Sequence, residues 1–346
     1  MQLLKTLSEM SGVPSREEPV REFIESQLDG LVDEVRTDAL GNLIAVKKAA
    51  SEDAKNVMLV AHMDEIGFIV THIDDNGFLR FHTLGGFDPK TLTAQRVIVH
   101  GKKDLLGAMG SKPIHVMTQE ERNKNPKLTD YFIDLGMEPD EVKEIISIGD
   151  PITRERELVE MGECVNCKSI DNRVSVFILI EALRQLKEVP FDVYGVFTVQ
   201  EEVGIRGANV AAHNINPDFG IGLDTTIAFD LPGAQPHEKI TSLGKGAAIK
   251  VMDASAIADY RMVDFLKKTA EANSISWQPE ILTAGGTDTA GIQRMGKQGA
   301  IAGAISIPTR HLHQVIEMAS KKDIAACTEL LKASLENINT YDWAHH

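Results

Sequence analysis

The feature that most constrains this chain is a hydrophobic period that changes twice along its length. Val20, Phe23, Ile24 and Leu28 fall on one helical face, and Ser15-Arg16-Glu17-Glu18 reads as a capping box ahead of them. Leu43–Val46 and Val57–Val60 are short apolar runs of the kind that form buried strands. From Gly67 the pattern turns strand-rich. Phe68–Ile73 faces Phe78–Phe81 across Asp74-Asp75-Asn76-Gly77, a strong hairpin signal. Val97–His100 and Ile114–Val116 read as further strands, and residues 119–150 as helical but polar. After Ile170 helices and strands alternate. A helix near 172–187 leads to strand Val193–Val199, a small helix after Gly207 to strand Phe219–Leu223, and a helix near 260–273 to strand Trp277–Leu282. A short helix, strand Ala300–Ser306 and a final helix capped by Ser320 follow, with Ile324, Cys327, Leu331, Leu335 and Ile338 on one face of that last helix.

Strands that alternate with helices imply an α/β fold: a mixed, largely parallel sheet with helices on both faces. The β-rich stretch reads as a domain inserted into it. The expected segments are 1–66 and 164–346 for the α/β domain and 67–163 for the insertion. At about 150 residues per domain, 346 residues fit two domains.

Composition excludes some functions. Lys plus Arg is 36 and Asp plus Glu is 51, a formal charge of −15. A nucleic-acid binder needs a basic face, and an anionic membrane surface asks for the same. No run approaches the about 18 apolar residues of a membrane span, and the first ten residues lack the pattern of a signal peptide. Three cysteines are too few for a disulfide framework. The expectation is a soluble, cytoplasmic protein that binds neither nucleic acid nor membrane. Residues 119–163 hold 13 acidic and 6 basic side chains, a density that usually marks a solvated face.

In doubly wound sheets, sites form at the carboxyl ends of strands. Here those ends carry metal-ligand residue types: His62-Met63-Asp64-Glu65, Glu201-Glu202, Asp224 and His311-Leu312-His313, with Asp171 opening a helix. Singly each has a plain explanation, an ordinary His or an N-cap Asp. Together they pose a charge problem, because carboxylates do not converge without cations. Two His and several carboxylates suit Zn²⁺, Mn²⁺ or Co²⁺. A shared carboxylate would let two ions sit about 3.5–4 Å apart.

His62-Met63-Asp64-Glu65-Ile66-Gly67, Asp171-Asn172-Arg173, Glu201-Glu202-Val203-Gly204, Asp224 and Arg310-x-x-His313 closely resemble the tetrahedral, or glutamyl (deblocking), aminopeptidase family of dinuclear-metal peptidases. Gly85-Gly86, Gln95-Arg96-Val97, Lys112-Pro113-Ile114-His115 and Gly285-Gly286-Thr287-Asp288 extend the resemblance along nearly the whole chain. It implies that His62 and Asp224 hold one metal, Glu202 and His313 the other, and Asp171 bridges them. Glu201 would be the general base serving a dimetal-bound hydroxide. Asp64 would orient His62 through its other ring nitrogen, and the Glu201 and Glu202 side chains would diverge along a strand-like segment. The substrates implied are short peptides cut at the N-terminus. The insertion would mediate dimerisation, with dimers assembling into dodecamers.

Related dizinc carboxypeptidases and N-deacylases, or a non-catalytic assembly protein on the same scaffold, are the competing readings. A glycosidase lacks stacking platforms in a chain only 5% aromatic. Cys164-Val165-Asn166-Cys167 has no second pair to complete a zinc site and reads as two ordinary thiols. His311 competes with His313 as a ligand. His115 reads as a site-proximal residue lent to a neighbouring subunit. Gly285-Gly286-Thr287-Asp288 reads either as pocket lining or as a turn and N-cap.

Overall fold

The structure is a computed structural model that describes every residue except Glu52 and His346. Its centre is four neighbouring parallel strands, in the order Asp192–Thr198, Asn56–His62, Phe219–Ile227 and Ile301–Arg310. Antiparallel strands extend both sides: Leu43–Lys47 and Glu34–Thr37 beyond the first, and Glu317–Ser320, Cys164–Cys167 and Val159–Met161 beyond the last. Ala247–Met252 pairs antiparallel with Ile301–Arg310 and parallel with Trp277–Ile281. The sheet is therefore mixed, as expected, with parallel pairing concentrated at its centre.

The apolar runs are continuous because both sheet faces are covered. In Asn56–His62, Val57, Leu59 and Ala61 join the core under helices Ile170–Gln185, Tyr260–Ala272 and Lys321–Asn337. Met58 and Val60 face the other way, against Ala208, Ala211, Ala212 and Ile292 of helices Arg206–Ile215 and Thr289–Met295. Ile324, Cys327, Leu331 and Leu335 are buried along the last helix, and Ser320 Oγ accepts the Lys322 N–H at 3.2 Å.

A second core lies within a closed barrel of strands Gly67–Ile73, Leu79–Leu84, Tyr131–Asp134, Asp104–Ser111, Gln95–His100 and Pro151–Arg154. The hairpin across Asp74–Gly77 forms as read, with Ile73 paired to Leu79. Two expectations fail in this region. Ile114–Val116 is a 3₁₀ turn entered from Pro113, with Ile114 and Val116 exposed, and it pairs with no strand among the described residues. Residues 119–150 are mostly not helical: helices Gln119–Arg122 and Pro139–Ile145 flank Tyr131–Asp134, a barrel strand whose Tyr131 and Ile133 turn inward.

The expected capping box at Ser15 is also absent. Ser15 is left-handed at φ 69°, and the helix begins at Glu18 with Pro19 in its first turn. The Glu17 carboxylate turns inward and accepts the N–H groups of Ser15 at 2.9 Å and Gln200 at 3.1 Å.

Parallel register sets Thr198 beside His62 and Asp224 beside Ser306, so the ligand-type residues gather at one edge. Buried Asn42 secures the chain leaving that edge. Its Oδ1 accepts the Val199 N–H at 3.1 Å, and its Nδ2 donates to the Gly207 carbonyl at 3.0 Å. Asn42→Ala strands both groups, and the expected loss is about 2 kcal/mol, within the usual range for unsatisfied buried groups, measured by urea unfolding. A loss below about 0.5 kcal/mol would mean that other partners take over.

Candidate metal centre

His62 closes its strand, Asp224 lies within Phe219–Ile227, and Asp171 sits in the first turn of Ile170–Gln185, where its φ/ψ of −75°/107° is not helical. His313 follows strand Ile301–Arg310 at φ 61°. A left-handed non-glycine residue costs of order 1–3 kcal/mol and persists only where its surroundings hold it.

These residues form two groups that share one carboxylate. His62 Nε2 lies 3.3 Å from Asp171 Oδ1 and 3.6 Å from Asp224 Oδ1. His313 Nε2 lies 3.5 Å from Asp171 Oδ2 and 3.6 Å from Glu202 Oε2. Within each group, the potential ligand atoms lie within 4.8 Å of one another. Zn–N and Zn–O bonds of about 2.1 Å at tetrahedral angles put neighbouring ligand atoms about 3.4 Å apart. The spacings match that figure. Asp171 Oδ1 and Glu202 Oε1 are buried without a hydrogen-bond partner among the described residues, as atoms awaiting a cation would be. The donor set of two imidazoles and three carboxylates fits two divalent ions that share Asp171.

Glu201 stands beside the first group, with Oε2 3.9 Å from His62 Nε2. The strand-like divergence expected of Glu201 and Glu202 is corrected by the structure: both lie in a turn after Asp192–Thr198, entered through Gln200 at φ 56°. The Glu201 carbonyl accepts the N–H groups of Gly204 and Ile205, each at 2.9 Å. From this turn Glu201 reaches His62 and Glu202 reaches His313.

The Asp64 backbone carbonyl meets His62 Nδ1 at 3.0 Å, with its carboxylate 3.4 Å away. That carboxylate instead accepts the N–H groups of Glu201 at 3.0 Å and Glu202 at 3.1 Å. Arg173 is fully buried and donates to the carbonyls of Met63, Leu7 and Met10. Asn172 Nδ2 donates to the Leu223 carbonyl at 2.9 Å, just ahead of Asp224.

The electrostatics describe a strongly negative cavity. Burial, then the charges of Asp224, Asp288 and Glu202, push the Glu201 carboxyl well above its ordinary range, against the pull of His62. Burial and Asp171 push Glu202 up to about 8. Burial disfavours charged imidazoles, yet Asp171, Asp224 and Asp64 hold His62 well above its usual value. Glu202 and Asp171 likewise bring His313 to about 10.

The surrounding cavity, about 620 Å³, is lined in part by Ile205, Lys250, Asp253, Leu282 and Gly285–Thr287. The Gly285-Gly286-Thr287 run is thus pocket lining. Asp288 is buried behind it, accepts from Thr198 Oγ1 and makes no side-chain cap. His311, at φ 60°, belongs to neither group, and His115 lies exposed on the 3₁₀ turn. Cys164 and Cys167 lie on one strand as free thiols, three residues apart and so on opposite faces. In the sequence Glu317 carries no signal of a role, as an isolated acid outside any ligand-like spacing. Glu17 is placed there only within a capping box and Asp288 only at the end of a pocket-lining or N-cap run, with nothing to mark the inward contacts either one makes.

The profile of a family described as M42 glutamyl aminopeptidase matches residues 41–330. The lysyl aminopeptidase of Pyrococcus furiosus is 33% identical over 354 residues, spanning 99% of this chain and 98% of its own. An aminopeptidase from the archaeon Desulfurococcus kamchatkensis superposes with a TM-score of 0.93 at 38% identity, covering 97% of this chain and 94% of its own. A TET1 peptidase of Pyrococcus horikoshii, described as able to assemble into a tetrahedron or a large octahedral shell, superposes with a TM-score of 0.86 at 31% identity. That match covers 96% of this chain and 98% of the other.

Proposed function

This chain belongs to the M42 glutamyl aminopeptidase family of peptide hydrolases, and from that membership we propose that it removes N-terminal residues from short peptides at a dinuclear metal centre. The observation that carries the reading is Asp171, whose two carboxylate oxygens face two separate ligand sets, one completed by His62 and Asp224 and the other by Glu202 and His313. Zn²⁺ is the favoured ion, with Co²⁺ or Mn²⁺ also compatible with this donor set. Bound there, such ions supply Lewis acidity and make a water ionisable near neutral pH.

The protein's own part begins with Glu201, which lies outside both ligand sets and is held by the turn over the cavity. Its Oε2 accepts the proton of the attacking water and passes it to the departing amine. Asp64 fixes the direction of that carboxylate through the backbone of Glu201. The cavity's carboxylates hold the substrate's free N-terminal ammonium, which makes the cut exopeptidic.

In this reading residues 67–163, which carry the six barrel strands between Gly67 and Arg154, form the inserted dimerisation domain, and dimers build a dodecameric shell. Exposed Leu106, Ile114 and Val116 on and beside the barrel, and the shells described for the Pyrococcus horikoshii relative, support a homo-oligomer. Among the described residues no helix is long and apolar enough to cross a membrane. The three free cysteines suit a reducing cytoplasm.

The test compares Leu-Gly-Gly with N-acetyl-Leu-Gly-Gly, before and after chelation and reloading with Zn²⁺, Co²⁺ or Mn²⁺. Release of leucine from the free peptide alone, lost on chelation and restored by metal, is expected. Cleavage of the acetylated peptide, or removal of residues from the carboxyl end, would overturn the aminopeptidase reading in favour of a deacylase or carboxypeptidase.

A further inference from the structure

Glu317 has no place in either ligand set, yet it touches the backbone of both residues that would share one ion. It is fully buried at the start of strand Glu317–Ser320. That strand lies between Cys164–Cys167, with Cys167 paired to Glu317, and the end of Ile301–Arg310, with Arg310 paired to Met318. One neighbour runs on to Asp171 and the other to His313. Glu317 stands where the two chains part.

Its carboxylate spans the gap. Oε2 accepts the Asp171 N–H and Oε1 accepts the His313 N–H, each at 2.9 Å. Both oxygens are therefore committed to backbone donors. Two departures from regular backbone, the non-helical Asp171 and the left-handed His313, are tied to one side chain. His313 has a second restraint, through Nδ1 and the Gly86 carbonyl at 2.8 Å. That contact orients the ring, whereas Glu317 sets the main chain.

Arg154, the last residue of barrel strand Pro151–Arg154, is almost wholly buried, with its guanidinium 5.7 Å from the centre of the Phe87 ring. Its charge pulls the Glu317 carboxyl down, but burial and the charge of Asp171 outweigh it and raise that carboxyl above its ordinary range.

We propose that Glu317 is a positioning residue that holds the Asp171 and His313 backbones so that both face the same cation. The inference rests on the dinuclear reading above and adds a residue that neither ligates metal nor touches substrate.

The test titrates metal-free protein with Zn²⁺ against a competing chelator, and separately with Co²⁺ while its visible absorption is recorded. In Glu317→Gln the amide nitrogen opposes one backbone N–H, so one tether is lost. The expected result is a 10–100-fold weaker affinity at one of the two sites, as is usual when a ligand's supporting partner is removed. The site of His313 and Glu202 should weaken most, since the other keeps His62 and Asp224, which Glu317 does not tether, and the Co²⁺ spectrum should change chiefly for the weakened site. A merely structural role would lower the unfolding midpoint and leave both affinities unchanged, which would overturn the proposal. Should Glu317→Gln fail to fold, Glu317→Asp keeps the charge while shortening the reach, and the same one-site loss is expected of it. Wild-type protein that bound no metal would defeat the dinuclear reading itself, whereas two tight sites in both wild type and variant would defeat only this inference.

Discussion

Glu201→Gln is expected to lower kcat about 10²–10⁴-fold, the usual contribution of general acid–base catalysis, while both metals stay bound. The amide has nearly the same shape and keeps the same backbone tether to Asp64, but its oxygen cannot take a proton at neutral pH. Glu201 lies outside both ligand sets, so metal content by elemental analysis should be unchanged and KM should move little. The comparison that makes the result specific is His313→Ala, which removes a proposed ligand and should lose metal together with activity. If Glu201→Gln keeps kcat within a few-fold of wild type, another group moves the proton. Asp288, buried nearby and raised to about 7 by burial against the pull of His62, would be the next candidate.

Glu65→Gln is expected to cost about 3–5 kcal/mol of stability, the range seen when one partner of a buried ion pair is removed. Glu65 is fully buried, and both its oxygens accept from Lys168 Nζ, at 2.7 and 2.9 Å. Ser169 Oγ donates to it as well, and Arg173 lies 4.0 Å away. Removing the one negative charge leaves two buried cations facing each other. Burial alone would raise the Glu65 carboxyl, but Lys168, Arg173 and Arg154 more than offset this and hold it below its ordinary value. A depressed carboxylate stabilises fully above its unfolded value of about 4.5 and loses that contribution as the pH falls through the folded one. The gap between wild type and Glu65→Gln should therefore be widest near neutrality and shrink on acidification. Guanidinium unfolding at pH 7 and pH 4 measures it. A gap below about 1 kcal/mol at pH 7 would mean that the pair contributes no more than an exposed one. The double variant Glu65→Gln/Lys168→Met should recover part of the loss, since it removes one of the two uncompensated cations and leaves Arg173.

Much of the site could be read from the chain because its chemistry is carried by residue type. Imidazoles and carboxylates placed just after apolar runs announce themselves, and parallel register then brings the strand ends together. The amphipathic last helix and the Asp74–Gly77 hairpin were legible for a similar reason, since their periods and turn residues are local. Tyr131–Asp134 was not, because two inward side chains in a polar stretch make too short an alternation to stand out. Ile114–Val116 misled for the opposite reason: its residues favour strands, but it pairs with no strand among the described residues.

The sequence by itself determined which groups could bind metal and that helices would cover both faces of a mixed sheet. Only the tertiary structure decided how those groups are aimed. Asp64 holds the amides of Glu201 and Glu202, Glu17 holds that of Gln200, and Glu317 holds those of Asp171 and His313. Apart from the Glu317–His313 contact, four residues apart, each of these buried carboxylates meets a backbone N–H distant in sequence. Every residue but proline carries that donor, so no pattern of side chains marks which amide will be used. The partner is chosen by where the packed strands end.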